Sequence, residues 1–232
     1  MNFLDVLFPR RCLGCGKLGA YFCPKCTASI RMVAVNESIC PICEKPAIDG
    51  ATHPRCRSRY TIDGLTSFFH YEKAVRKAIR TMKYQYVSDL ANELVGLVPA
   101  DSLVFLTKLL SARRQNSFLI PLPLHPSRLR WRGFNQTQVL GRYLSQRLGI
   151  SMRPDTLKRI RSTTPQVEVK NRQRRLKNME GVFCVNASAK DTLRLSGLVF
   201  DDVFTTGATL RSAASVLKRA GVPFVWGVTM AR

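Results

Sequence analysis

Acidic side chains are scarce in this chain of 232 residues. Asp and Glu number 15 against 37 Lys and Arg, which leaves a formal net charge of +22. A surplus of this size repels itself, so we expect a polyanionic partner such as nucleic acid. The alternative is a general contribution to solubility, which the sequence pI of about 10.4 makes the weaker explanation.

Long apolar runs are also lacking. No stretch reaches the roughly 18 uninterrupted apolar residues that a membrane-spanning helix needs. Residues 1–11 place their charges after the apolar part and offer no small-residue cleavage site, so we expect no secretory signal. Hydrophobic residues make up 45% of the chain, which excludes a disordered protein. We therefore expect a soluble, cytoplasmic globular protein without membrane insertion.

The cysteines are concentrated at one end of the chain, where seven of the eight precede residue 57. They form pairs with two residues between the partners, and His53 with Cys56 completes a fourth pair. This gap lets both side chains reach one metal ion, and four pairs supply the eight nitrogen and sulfur ligands of two tetrahedral zinc sites. The candidate ligands are Cys12, Cys15, Cys23, Cys26, Cys40, Cys43, His53 and Cys56.

The pairing of these ligands has two solutions. Sequential sites place residues 12–26 on one ion and residues 40–56 on the other, and an interleaved arrangement has the same ligand count. A disulfide framework would suit a secreted protein better, and iron–sulfur ligation is a further alternative. No ligand position is left open for catalysis, so the zinc ions would be structural and would supply much of the folding energy. We predict a small double zinc-ribbon domain over residues 1–60.

Residues 61–232 alternate between strand and helix patterns. Amphipathic helices are predicted over 74–84, 136–148 and 210–220, and buried strands over 193–200 and 225–230. Residues 117–124 are predicted as a short buried strand that runs into a loop stiffened by prolines. This alternation predicts an α/β domain with a mostly parallel sheet covered by helices. No internal repeat is apparent in either part of the chain.

Cations cluster on the polar face of the helix predicted over 74–84. Such a face is either solvated or faces an anion, and the absence of acids makes the two readings about equal. Tyr84, Trp131 and Phe134 lie among cations and could stack bases, although an aromatic in such a place usually belongs to the core. The candidate nucleic-acid contacts are Arg76, Lys77, Arg80, Lys83 and Arg130.

The sharpest motif spans residues 198–210, where an apolar strand ends at Asp201 and Asp202. A loop with three threonines follows and a helix starts at once, so successive amides and the helix N-terminus form an anion nest. Gly207 lets the backbone approach its ligand closely. Two acids beside a phosphate would repel it unless they hold ribose hydroxyls with Mg²⁺ nearby, so the motif predicts a sugar phosphate. The alternative is an ordinary strand–loop–helix turn with Asp and Thr as caps.

The segment Asp-Asp-x-x-Thr-Thr-Gly-x-Thr resembles the phosphoribosyl-pyrophosphate (PRPP) loop of type I phosphoribosyltransferases. Two further blocks resemble the signature of the ComF/GntX family of competence proteins. One runs Ile-Pro-Leu-Pro-Leu-His-Pro-Ser-Arg over residues 120–128 and continues at 132–136. The other starts at Gln166 and includes Arg172, Arg175, Asn178, Val182 and Phe183. The paired cysteines also fit the double zinc ribbon of that family, in which a cysteine is usual at the position of His53.

The resemblance implies a type I phosphoribosyltransferase-like sheet and roles for individual residues. PRPP with Mg²⁺ would bind at Asp201, Asp202, Thr205, Thr206, Gly207, Ala208 and Thr209. Leu124, His125, Arg128 and Arg132 would belong to the pyrophosphate loop, with His125 either in contact with pyrophosphate or solvated. Lys170, Arg172 and Arg175 would lie on a mobile hood over residues 162–179.

The resemblance also implies a role in natural transformation, the handling of incoming single-stranded DNA, with competence proteins as further partners. Three hypotheses follow. The protein is a transferase that ribosylates an unknown acceptor, a non-catalytic DNA-binding protein with PRPP as ligand or regulator, or a nucleotide-salvage or purine-regulatory member of the family. The net charge of +22 favours the second over the third, because salvage of small molecules has no need for it.

Overall fold

The computed structural model describes residues 9–85, 88–112, 117–163, 178–186 and 196–232. The strands are β1 (Gly64–Phe69), β2 (Ser117–Pro121), β3 (Ser151–Met152), β4 (Leu157–Arg159), β5 (Phe183–Val185), β6 (Ser196–Val203) and β7 (Val225–Ala231). The α-helices are α1 (Pro24–Ala28), α2 (Lys73–Tyr84), α3 (Ser88–Gly96), α4 (Ala100–Ser111), α5 (Pro126–Arg132), α6 (Gln136–Leu148) and α7 (Ala208–Arg219).

Five strands form a parallel sheet in the order β1-β7-β6-β2-β3. Its side chains alternate between the two faces, as in any strand. On β6, Leu198 and Phe200 belong to the core that also contains α2, α3 and α6, whereas Val199 belongs to the core with α7. The structure confirms the predicted parallel sheet flanked by helices.

The carboxyl ends of β2 and β6 meet at the same edge of the sheet, because these two strands pair in parallel. The chain leaves β2 toward α5 and leaves β6 toward α7. In open α/β sheets this edge is where ligands bind. The antiparallel pair β4–β5 is separate from the main sheet, and Leu157 and Phe183 join it to the core beneath α7.

Two segments differ from the sequence prediction. The strand that was expected to end before Asp201 continues to Val203, because Asp201 pairs with Thr229 and Val203 with Ala231. The predicted loop after β2 contains helix α5. Pro126 occupies its first turn and the Nδ1 atom of His125 accepts the N–H of Ser127 at 3.3 Å, so His125 caps this helix.

The cysteine-rich segment pairs with the edge of the sheet. Met32 pairs with Phe69, and the N–H of Val33 donates to the carbonyl of Phe68 at 2.9 Å. A second antiparallel bridge joins Ala51 to Gly64. These bridges cover part of β1, whose outer edge would otherwise be open.

Within the described ranges, no single helix is long and apolar enough to cross a membrane. Helices α3 and α4 are long and apolar enough only when they are taken together, and the angle between them is 85°.

Candidate functional site

The first four cysteines form one cluster. The Sγ atoms of Cys12, Cys15, Cys23 and Cys26 all lie within 4.8 Å of one another. Cys15 Sγ and Cys23 Sγ are 3.7 Å apart. Four thiolates around one zinc ion at about 2.3 Å would be separated by roughly 3.8 Å, so the spacing fits a tetrahedral zinc site.

The second cluster contains three cysteines and one histidine, Cys40, Cys43, His53 and Cys56, again with all ligand atoms within 4.8 Å. Cys43 Sγ is 3.3 Å from His53 Nδ1. On the other side of the ring, His53 Nε2 donates to the carbonyl of Pro46 at 2.9 Å. This bond leaves Nδ1 unprotonated for a metal, which is the usual arrangement behind a zinc-bound histidine. The pairing of ligands is therefore sequential.

Backbone amides support the thiolates of both clusters. The N–H of Cys23 points at Cys12 Sγ at 3.4 Å, and the N–H of His53 points at Cys40 Sγ at 3.5 Å. Burial raises the pKa of the Cys12 thiol, but hydrogen bonds from Cys23, Cys15 and Gly14 outweigh this effect and lower the pKa to about 6. Deprotonated thiols are the form that zinc binds.

The two clusters are built as a repeat, which the sequence analysis missed. The carbonyl of Cys12 accepts from Gly16, and the carbonyl of Cys40 accepts from Glu44 in the same way. Gly16 has a φ of 81° and Glu44 a φ of 62°, so both turns use the left-handed region. In the second ribbon this geometry is carried by a glutamate, for which it is less favourable.

Asp202 is buried at the carboxyl end of β6 and has two partners. Lys83 Nζ lies 2.9 Å from its Oδ2 atom, and Gln136 Nε2 donates to the same atom at 3.1 Å. Burial raises the pKa of Asp202, but Lys83 and Gln136 outweigh it and hold the pKa below its usual range. Lys83, expected among the nucleic-acid contacts, is thus turned toward the acids.

Asp201 lies in the opposite electrostatic situation. Its burial and the neighbouring charge of Asp202 raise its pKa to about 8. Its Oδ1 atom accepts the N–H of Asp202 at 2.8 Å. A proton on the pair is therefore held more strongly by Asp201 than by Asp202. A cation or a hydroxyl donor bound beside Asp201 would lower its pKa.

The loop after β6 packs closely against other parts of the protein at Gly207, where the sequence predicts a close approach to a ligand. Gly207 has a φ of 67°, and a Cβ atom there would lie 2.6 Å from the Phe204 ring and 3.1 Å from the carbonyl oxygen of Pro41 in the second zinc ribbon. Thr206 is buried, and its Oγ1 has no hydrogen-bond partner in the described part of the chain. A buried hydroxyl without a partner needs an explanation, and an oxyanion in the loop would supply one.

Three arginines lie around the same edge of the sheet. Arg128 donates to the carbonyl of Thr163 at 2.6 Å, and Arg159 donates to the hydroxyl of Thr163 at 2.5 Å. Arg132 donates to the amide oxygen of Gln136, which in turn bonds Asp202. Across the described residues, none of these arginines forms an ion pair, so their charges are available to an anion.

Arg159 is a candidate site residue that the sequence analysis missed. It lies on β4 and outside every motif, and only its place on a short strand near the predicted hood could have drawn attention to it. Burial lowers its pKa to about 10, with a further contribution from Arg128. Its Nε atom is buried with no partner among the described residues.

The other predicted residues fall into three groups. Leu124 is half-buried in the segment between β2 and α5, and Thr205 and Thr209 flank the buried part of the loop. Arg76, Lys77 and Arg80 are exposed on α2, and Arg130 is exposed on α5. Lys170, Arg172 and Arg175 lie outside the described residues.

Comparisons with known proteins find relatives of the cysteine-rich segment and of most of the chain. Residues 3–57 match the double zinc ribbon domain. The DNA utilization protein YhgH of Salmonella typhimurium is 30% identical over 212 residues, which cover 86% of each chain.

Two proteins named for competence are also similar. Competence protein F of Haemophilus influenzae is 33% identical over 49% of this chain and 50% of its own length. Competence protein ComFC of Bacillus subtilis is 24% identical over 86% of this chain and 78% of its own length. The chain has a zinc-ribbon segment followed by a parallel α/β sheet, and the YhgH protein of Salmonella typhimurium is 30% identical to it along 86% of each chain. The chain therefore belongs to the ComF/GntX family.

Proposed function

We propose that the chain binds PRPP with Mg²⁺ at the carboxyl edge of the sheet and acts on single-stranded DNA in DNA uptake. The observation that carries the first part is the juxtaposition of an acid pair, a glycine-containing loop with a buried hydroxyl, and three arginines. Among the residues that the structure describes, the hydroxyl has no hydrogen-bond partner and the arginines have no carboxylate partner. PRPP has a group for each of these features: a ribose for the acid pair, an ester phosphate for the loop and a pyrophosphate for the arginines.

The parts of the ligand are assigned by charge. The amides of residues 205–209 and the N-terminus of α7 would hold the 5′-phosphate, because both present partial positive charge. Asp201 and Asp202 would accept from the ribose hydroxyls. Arg128, Arg132 and Arg159 would hold the pyrophosphate, since guanidinium groups form paired hydrogen bonds with phosphate oxygens. Bound Mg²⁺ would neutralise part of the pyrophosphate charge.

The test is calorimetric titration of PRPP with Mg²⁺ into the wild-type chain and Asp201→Asn. Asparagine keeps an oxygen that can accept the N–H of Asp202 but cannot become an anion, so we expect a loss of at least tenfold in affinity with the fold intact. Asp101→Asn makes the same substitution at an exposed acid on α4 and should leave affinity unchanged. Equal affinity in Asp201→Asn and wild type would refute the site.

The DNA part rests on different observations. Relatives carry the names competence protein and DNA utilization protein, and the net charge is +22. Exposed cations on α2 and α5 have no ion-pair partners in the described part of the chain. We expect binding of single-stranded DNA with little sequence preference and an affinity that falls steeply with salt, because phosphate contacts release counterions. Anisotropy of a labelled oligonucleotide across a salt series tests this, and a flat response would refute it.

A second candidate is an active phosphoribosyltransferase in nucleotide metabolism, favoured by the same PRPP site. Arginines that hold pyrophosphate would also stabilise it as it leaves, which is what transfer of the ribosyl group requires. Release of pyrophosphate from PRPP, measured with and without single-stranded DNA, separates turnover from binding. The division of the chain into residues 1–60 and 61–232 belongs to this proposal as well.

A further inference from the structure

Two large aromatic side chains lie on the surface, next in sequence to Lys83 and Arg132, which contact Asp202 and its partner Gln136. Tyr84 is 70% exposed and Trp131 is 72% exposed. They come from the ends of different helices, α2 and α5, yet their ring centroids are 6.2 Å apart and the rings are perpendicular. Residues of this size usually bury most of their surface, as Trp226 does at 3% exposure. The exposed pair therefore needs a ligand or partner to explain it.

Each of the two aromatic residues has cations near it, in space for Tyr84 and in sequence for Trp131. Tyr84 borders a depression of about 480 Å³ that runs along the cationic face of α2. The depression is also lined by Lys73, Arg76, Lys77 and Arg80, and none of these four forms an ion pair within the described ranges. Arg130 and Arg132 flank Trp131 in the sequence of α5.

Exposed aromatic rings near unpaired cations match the chemistry of a single nucleic-acid strand. Its phosphates contact cations while its unpaired bases stack on aromatic rings, and stacking is tolerant of sequence. A duplex offers the same phosphates but keeps the faces of its bases covered. Burial as core, the alternative for an aromatic among cations, is excluded here by the exposure of both rings.

We infer that Tyr84 and Trp131 form a base-stacking platform for single-stranded nucleic acid, which passes from the cationic face of α2 to Arg130 on α5. The inference rests on the proposed DNA-binding function and specifies the surface that carries it. Arg132 donates to Gln136, which bonds Asp202, so the platform adjoins the proposed PRPP site without including the acids or the threonine loop.

The chain itself supplies the probe for stacking. It has two tryptophans, and the burial of Trp226 leaves Trp131 as the one that bases can reach. Titration of the full chain with an oligothymidylate should quench tryptophan emission in parallel with the binding curve from anisotropy. An abasic oligonucleotide of the same length keeps the phosphates, so it should bind more weakly and quench little. Quenching should disappear in Trp131→Phe.

Substitution measures what the platform contributes. Trp131→Ala should weaken binding of the oligothymidylate by roughly tenfold, leave binding of the abasic oligonucleotide unchanged and leave PRPP affinity unchanged. Trp131→Phe should restore most of the loss, because phenylalanine also stacks. Val104→Ala, on the exposed face of α4, is the matched control for removal of an exposed apolar side chain and should have no effect.

The outcomes separate the platform from the function on which it depends. Tight binding of oligothymidylate without quenching would overturn the platform and leave DNA binding standing. Equal weakening of the intact and abasic oligonucleotides in Trp131→Ala would also overturn it, because the residue would then act on the backbone contacts. Absence of any DNA binding at low salt would overturn both proposals, while the PRPP titration would still report on the other site.

Discussion

Thr206→Val separates stability from the proposed ligand binding at the loop after β6. Thr206 is 8% exposed and its hydroxyl has no hydrogen-bond partner in the described part of the structure. A buried hydroxyl left unsatisfied costs about 1–3 kcal/mol. Valine has the same branching at Cβ and removes that polar atom. We therefore expect the free energy of unfolding of the ligand-free protein to stay the same or to rise by about 1 kcal/mol.

The same substitution should weaken PRPP binding. A hydrogen bond to a charged acceptor such as a phosphate contributes about 1.5–3 kcal/mol, and each 1.4 kcal/mol corresponds to a factor of ten. We expect affinity to fall by about tenfold or more. Urea unfolding and calorimetric titration give the two quantities on one preparation.

Thr107→Val provides the matched control, because the hydroxyl of Thr107 is exposed and donates to the carbonyl of Leu103 at 2.9 Å. It should lose a little stability and no PRPP affinity. A loss of more than about 1 kcal/mol of stability in Thr206→Val, together with unchanged PRPP affinity, would show that the hydroxyl serves the fold and not a ligand.

Three further predictions follow from other parts of the structure. Metal analysis should find about two zinc ions per chain, and a value near one would exclude the cluster with His53. Gly207→Ala should lower both stability and PRPP affinity, because its Cβ atom would approach Phe204 and Pro41; thermal unfolding and titration that match wild type would contradict this packing. The raised pKa of Asp201, about 8 against 3.8, means that the folded state keeps a proton that the unfolded chain releases. The free energy of unfolding should therefore fall as the pH rises from about 4 to about 8. Asp201→Asn should remove this fall, and an unchanged pH profile in that variant would show that Asp201 is not its source.

Local signals were sufficient to predict several elements from the sequence. Helix α6 begins and ends where its pattern indicates, because Asn135 caps its first turn and Gly149 takes the left-handed conformation after its last. The zinc ligands were found for a similar reason, since the two-residue gap within each pair is a local constraint. The buried face of α2 also follows directly from its apolar spacing.

Contacts between distant segments were not predictable in this way. Lys83 has the same spacing as the exposed cations of α2, and only the arrival of β6 beside it makes it the partner of Asp202. Arg159 becomes a candidate site residue because Thr163 and Arg128 lie close to it in the folded chain. Helix α5 could have been anticipated from Pro126 and Gly133, which suit the start and the end of a short helix.

A crystal structure of the chain with PRPP and Mg²⁺ tests the central claim most directly. The account predicts the 5′-phosphate on the amides of residues 205–209 with a hydrogen bond from Thr206, the ribose hydroxyls on Asp201 and Asp202, and the pyrophosphate among Arg128, Arg132 and Arg159. Electron density for the ligand at any other place, or an acid pair that still bonds only Lys83 and Gln136 at saturating PRPP, would contradict it.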